Sequence, residues 1–178
     1  MVDELSSLLM RAKNGDERAL AAFVRATHEP VRRFCSHLVG RDDADDAVQE
    51  TFLAVWRALP SFRGDASAKT WLFVIARRNA DRVARRRRRW GELSDDTARP
   101  SPQTHPESAR AVEELLSELQ VDRRAALVLT QIIGLSYAEA AAVCECPIGT
   151  IRSRVARARE ELLELRAGAR RERGSATS

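Results

Sequence analysis

Residues 91–108 decide how the rest of this sequence can fold. They hold Pro100, Pro102 and Pro106 among Ser, Thr and Asp, with little apolar content. Such a stretch has nothing to bury and reads as an extended linker. On either side of it, apolar residues recur at helical spacing and strand-like alternation is absent. The 178-residue chain is therefore expected to be all-α. Two small helical domains, 1–90 and 109–167, are joined by a flexible linker, and a polar tail, 168–178, frays. Domains this small bury too little surface to be more than moderately stable alone.

Residues 3–13 place Leu5, Leu8, Leu9 and Ala12 on one helical face and meet a turn signal at Asn14-Gly15-Asp16. A second helix is predicted over 17–39, with Leu20, Phe23, Val24, Val31, Phe34 and Leu38 inward; Pro30 is expected to kink or divide it. A third covers 42–59 and stops at Pro60. The fourth starts near Ser67 and runs into five consecutive arginines, Arg85 to Arg89. Three or four more helices fill 109–167.

The formal net charge is only +4, yet the basic residues are all arginine except Lys13 and Lys69. Arginine's planar fork suits phosphates and base edges. Residues 1–93 carry +5, residues 94–108 carry −2 and residues 109–178 carry +1, so a small sum covers opposed surfaces. No run approaches the ~20 apolar residues that span a bilayer. The start, Met-Val-Asp-Glu, lacks the segments of a secretory signal, and no membrane insertion is expected. Cys35, Cys144 and Cys146 are an odd set that fits a reducing cytoplasm. Cys144-x-Cys146 has no nearby His or Cys to complete the four ligands zinc takes, so small residues at a turn are the better reading.

On the third helix, Val48, Phe52, Val55, Trp56 and Leu59 are expected to face the core. The other side carries Asp43, Asp46, Gln49, Glu50 and Arg57 around Leu53. That is either a solvated face with an incidental leucine or a docking surface, an apolar contact ringed by charges that set register. The run Asp42-Asp43-Ala44-Asp45-Asp46 also matches a magnesium-diphosphate pattern. That chemistry needs a larger helical barrel and a second motif, and helix capping with a favourable dipole accounts for aspartates here.

Eight of the nine aromatic residues lie in 1–90. The loop Phe62-Arg63-Gly64-Asp65-Ala66-Ser67 precedes Trp71, Phe73, Arg77, Arg78 and Asn79. Rings, amides and guanidinium groups together suit unstacked bases and their phosphates. Trp71, Leu72 and Ile75 also fit a core. Arg85 to Arg89 go round the whole helix and cannot all be buried, which favours a surface that tracks phosphates.

In the second domain, residues 136–144 form a helix of small side chains. Glu145-Cys146-Pro147-Ile148 turns, and Gly149-Thr150 opens another helix. Small residues let two helices cross closely, as a helix-turn-helix requires. Ile151, Val155, Ala158 and Leu162 share one side of the second helix; Gly149, Arg152, Ser153, Ala156 and Arg157 share the opposite one, flanked by Arg154 and Arg159. The N-terminal part of such a helix enters the major groove, where arginine pairs with guanine.

Three blocks then resemble one family, the extracytoplasmic-function bacterial sigma factors of the sigma-70 superfamily. Asp45-Asp46-Ala47-Val48-Gln49-Glu50-Thr51-Phe52-Leu53-Ala54-Val55-Trp56-Arg57 is similar to its polymerase-clamp-binding helix. Ser61-Phe62-Arg63-Gly64, with Thr70-Trp71-Leu72-Phe73-Val74-Ile75-Ala76-Arg77, resembles its promoter-melting segment. Gly134 to Ala141 and Cys146 to Arg159 resemble its −35-reading helix-turn-helix. With the helices between, the resemblance covers nearly all of 5–165.

It implies a transcription initiation factor with no catalytic residues, no metal and no cofactor. Asp46, Gln49, Glu50 and Leu53 would meet the clamp helices of core RNA polymerase, whose flap is a second contact. Phe62, Arg63, Lys69, Trp71, Arg77, Arg78, Asn79, Arg82, Arg85 and Arg86 would take the single-stranded −10 element. Gly149, Thr150, Arg152, Ser153, Arg154, Ala156 and Arg157 would read the double-stranded −35 element. The linker would thread the polymerase cleft. An anti-sigma factor is a further partner of this family, and the bacterial cytoplasm, with the nucleoid, is its expected place. One departure stands out: many relatives have Asn directly after Ile-Ala-Arg, where this chain has Arg78, with Asn79 next. The alternatives are a stand-alone helix-turn-helix regulator, which leaves the melting loop and Leu53 without purpose, and a magnesium-dependent enzyme using Asp42, Asp43 and Asp46.

Overall fold

The computed structural model describes residues 3–91 and 107–175. The predicted linker thus lies, over 92–106, outside the described residues. All regular structure in the described residues is helical. Four helices form the N-terminal half: α1 (Glu4–Lys13), α2 (Glu17–Val39), α3 (Ala44–Ala58) and α4 (Ala68–Gly91). The C-terminal half holds α5 (Glu107–Glu118), α6 (Val121–Leu127), α7 (Tyr137–Val143) and α8 (Ile148–Ser175).

Local chemistry sets these boundaries. Asp3 and Asp16 cap α1 and α2, accepting from the backbone N–H of Ser6 (2.6 Å) and Ala19 (3.0 Å). Ser136 and Glu139 form a reciprocal capping box at the start of α7. After α6 the chain widens into a π-helical turn, Val128–Ile132, closed by the Ile133 N–H bonding the Val128 carbonyl at 2.9 Å. In the N-terminal half, Phe23, Phe34, Leu72 and Phe73 are fully buried, and Phe34 meets Phe73 edge to face at 5.3 Å. In the C-terminal half, Val128, Leu129, Ile151 and Val155 play that part.

Four expectations need correction. The buried stripe of α3 is Ala44, Ala47, Val48, Thr51 and Val55, and Trp56 is 61% exposed. A strict three-four spacing centred on small residues lets α3 lie close against α2 and α4, and Trp56, ~100° on from Val55, falls outside that stripe. Pro30 does not divide α2, which runs through it with Pro30 half-buried. Asp43 sits at the N-cap of α3 without a capping hydrogen bond and pairs with Arg87 at 2.9 Å. The tail does not start at 168, because α8 continues to Ser175. The strong helix formers Ala, Arg and Glu outweigh two glycines, Gly168 and Gly174, there.

Candidate nucleic-acid and polymerase interfaces

α8 presents its two faces as its periodicity requires. Ile151, Val155 and Ala158 are buried, and Gly149, Arg152, Ser153, Ala156 and Arg157 are exposed, with Thr150 half-buried. The Ile151–Val155–Ala158 ridge packs on α6 and α7 and fixes the rotation of the helix. Glu145, at φ 51, makes the tight turn before it. Arg154 departs from its expected place beside DNA: its guanidinium turns back onto Asp122 at 2.7 Å and onto the Cys146 sulfur at 3.7 Å.

The loop before α4 is held from below. Lys13 donates to the Phe62 carbonyl (2.7 Å), and the Ala68 N–H donates to Ser6 Oγ (2.9 Å). Arg63, Gly64, Asp65 and Ala66 are exposed between these ties. Phe62 itself is 2% exposed, its ring 5.1 Å from that of Trp71, so it supports the loop from inside instead of offering a stacking face. Asn79 is buried likewise: its side-chain oxygen accepts from Arg82 (3.2 Å) and its amide faces the Glu50 carbonyl. A one-residue step turns a helical side chain by ~100°, which carries Asn79 inward and leaves Arg78 on the surface. Arg82, Arg85 and Arg86 are exposed, with Arg86 3.1 Å from Asp46.

Arg77 is the most enclosed of the α4 arginines. Burial disfavours its charge, but Asp81 and Asp122 outweigh that and hold its pKa above the ordinary value. Lys69 donates to the Ile133 carbonyl at 2.6 Å.

On α3, Asp46, Gln49 and Leu53 are exposed and Glu50 is half-buried. Trp56, one turn beyond Leu53, adds a second apolar group that sequence spacing had assigned to the core. The crowding of small residues at Ala44, Ala47 and Thr51 was the available signal that the buried stripe lay elsewhere. Asp43 and Asp46 pair with Arg87 and Arg86, and no group of three or more metal-ligating side chains occurs among the described residues. Burial pushes the Cys144 thiol up to about 11, and the sulfur lies 3.8 Å from the Arg77 guanidinium. No helix among the described residues is long and apolar enough to cross a membrane.

A model of sigma-70 region 2 matches residues 23–90, and one of sigma-70 region 4 matches residues 109–162. The chain is 46% identical over 169 residues to the extracytoplasmic-function sigma factor SigC of Mycobacterium tuberculosis, covering 90% of each. It is 36% identical over 172 residues to the sigma-E factor of Escherichia coli, covering 87% of this chain and 90% of that one. Among solved structures, the sigma factor RpoE of Bartonella quintana, in complex with the anti-sigma factor NepR, is similar at a TM-score of 0.74 and 35% identity. That match covers 82% of this chain and 95% of the other. CnrH, in complex with the cytosolic domain of CnrY, is similar at 0.70 and 28%, covering 90% and 96%. With both sigma regions present in order and relatives matched along nearly their whole length, the chain belongs to the extracytoplasmic-function family of RNA polymerase sigma factors, which direct promoter-specific transcription initiation.

Proposed function

We propose the following division of labour in this sigma factor. Residues 1–90 hold core polymerase and the melted −10 strand, and residues 109–167 read the −35 duplex, in the bacterial cytoplasm on the nucleoid. The observation that carries the reading is the exposed face of α8: Arg152, Ser153, Ala156 and Arg157 lie opposite a fully buried ridge. Arg152 and Ser153 supply base-edge contacts, Gly149 and Ala156 permit close approach, and Thr150 and Arg157 serve phosphates, while Arg154, tied to Asp122, braces the helix from its flank.

Arg63 in the loop before α4, with Lys69, Arg78, Arg82, Arg85 and Arg86 on α4, serves the single strand, and the enclosed Arg77 supports them from within together with Phe62, Trp71 and Asn79. On α3, Asp46, Gln49, Glu50 and Leu53 meet the clamp helices, and Trp56 extends that contact. The apolar groove between α5 and α8, lined by Val112, Leu115, Leu116, Leu162 and Leu163, fits the flap. Anti-sigma control is part of this reading by likeness to RpoE of Bartonella quintana, which is bound by the anti-sigma factor NepR.

Run-off transcription with purified core polymerase tests it. Transcripts start at defined promoters only when the chain is added, and Leu53→Asp abolishes both transcription and co-purification with core. A chain that binds promoter fragments but supports no transcript would be a stand-alone regulator.

A further inference from the structure

Trp56 borders more than the exposed patch around Leu53. It also lines a cleft of about 300 Å³ where the end of α1 and the start of α2 meet the end of α3. Leu20, Leu59 and Pro60 make the cleft largely apolar, and the exposed Glu17, in the first turn of α2, stands at its rim.

The charges nearby are unevenly paired. Lys13 also lines the cleft, but its ammonium donates to the Phe62 carbonyl at 2.7 Å. Asp16 is taken by Arg11 at 2.6 Å. Glu17 enters no ion pair among the described residues. Arg18 and Arg57, one residue on from Glu17 and Trp56, are turned away by ~100° and do not line the cleft. What remains is an aromatic wall, an aliphatic channel and one uncompensated carboxylate.

An apolar occupant would cover the Glu17 carboxylate without a partner, and an acidic one would meet like charge. An arginine side chain answers all three features. Its methylenes suit Leu20 and Leu59, its guanidinium stacks on an indole, and its N–H groups donate to a carboxylate. Trp56 belongs both to the cleft and to the α3 patch, so the two form one continuous surface. Asp46 and Glu50 on α3 give that surface the same negative sign.

Resting on the reading that α3 meets core polymerase, we propose that the docking surface continues past Trp56 onto the junction of α1 and α2. There the cleft receives an arginine side chain of core polymerase, held between Trp56 and Glu17. Glu17 is then a polymerase-recognition residue outside α3, and α1 and α2 take part in docking.

Anisotropy titration of the labelled full chain with purified core polymerase, at several salt concentrations, tests this. Glu17→Gln is expected to weaken binding about tenfold and to lower its salt dependence, and Glu17→Lys to weaken it about a hundredfold. Glu4→Gln, an exposed carboxylate at the far end of α1, removes the same charge and serves as control. Because Glu17 and Trp56 hold one side chain, their losses are coupled. Adding Glu17→Gln to Trp56→Ala costs less than about threefold beyond Trp56→Ala alone. Circular dichroism reports the helix content of each variant.

Native affinity of Glu17→Gln overturns the proposal, as does a control that loses as much, or full multiplication of the Glu17 and Trp56 losses. Leu53→Asp separates this proposal from the reading beneath it. If Leu53→Asp abolishes core binding while both Glu17 variants bind as the native chain does, docking on α3 stands and the cleft has no part in it. If Leu53→Asp binds normally, the docking face is wrong and the cleft falls with it. If Glu17→Lys lost helix content, Glu17→Gln would decide by the same criteria.

Discussion

Trp56 offers the sharpest measure of the polymerase-facing surface. It is 61% exposed, one turn beyond Leu53, which is 45% exposed. A tryptophan can bury up to about 250 Å², so roughly 150 Å² of Trp56 stands open. Covering that area at ~25 cal/mol/Å² gives about 4 kcal/mol. Side-chain ordering and polar desolvation offset part of it, leaving about 2–3 kcal/mol, in the range of an interfacial hot spot.

Trp56→Ala should therefore weaken binding to core polymerase by roughly 30- to 150-fold. Because the ring is exposed in the isolated chain, its melting temperature should move by no more than about 2 °C, as for other surface changes. Anisotropy titration of labelled chain with core polymerase gives the affinity, and a thermal melt gives the stability. A loss below threefold would refute the docking assignment. A large fall in melting temperature would mean that Trp56 packs inside after all.

Ile151→Ala empties a fully buried site beneath the reading helix and should cost about 2–5 kcal/mol; a thermal melt showing no destabilisation would contradict the packing described. Arg152→Ala should cost about 1–3 kcal/mol at one −35 base pair, read by competition among single-base promoter variants, whereas a uniform loss would make Arg152 a phosphate contact. His37, 9% exposed, has its pKa lowered by burial, with Arg124, Arg33 and Arg41 adding to this and Glu113 opposing it. The unfolded chain then binds the extra proton first, so stability falls as pH drops below the ordinary histidine value of about 6.5, at no more than about 1.4 kcal/mol per pH unit. Melts between pH 7.5 and 5.5 should show that slope, and His37→Gln should flatten it.

Much of this molecule was legible from residue spacing. The ridge Ile151–Val155–Ala158 and the polar face opposite it follow from a 3.6-residue period, and α8 shows both. The Asp3 and Asp16 caps sit where an acidic residue precedes an apolar run. The N-terminal helices fall close to their predicted places for the same reason. Family membership was legible too, because its three blocks are contiguous in the chain.

Periodicity failed where neighbours decide. It gives the angle between residues on one helix but not which angle meets the next helix. Trp56 and Leu53 are therefore both exposed, although spacing alone had sent them to opposite faces. The same limit sent Phe62 and Asn79 outward, when the packing of Trp71 and α3 holds them inside. The pairing of Asp122 with Arg77 and Arg154 joins residues 45 and 32 positions away. No local pattern encodes it, since it exists only once α4, α6 and α8 have met. The sequence by itself determined helices, faces and family, which are properties of neighbouring residues and their order. Only the tertiary structure decided which arginines face outward and which are held by the chain's own carboxylates, because that depends on distances across the fold.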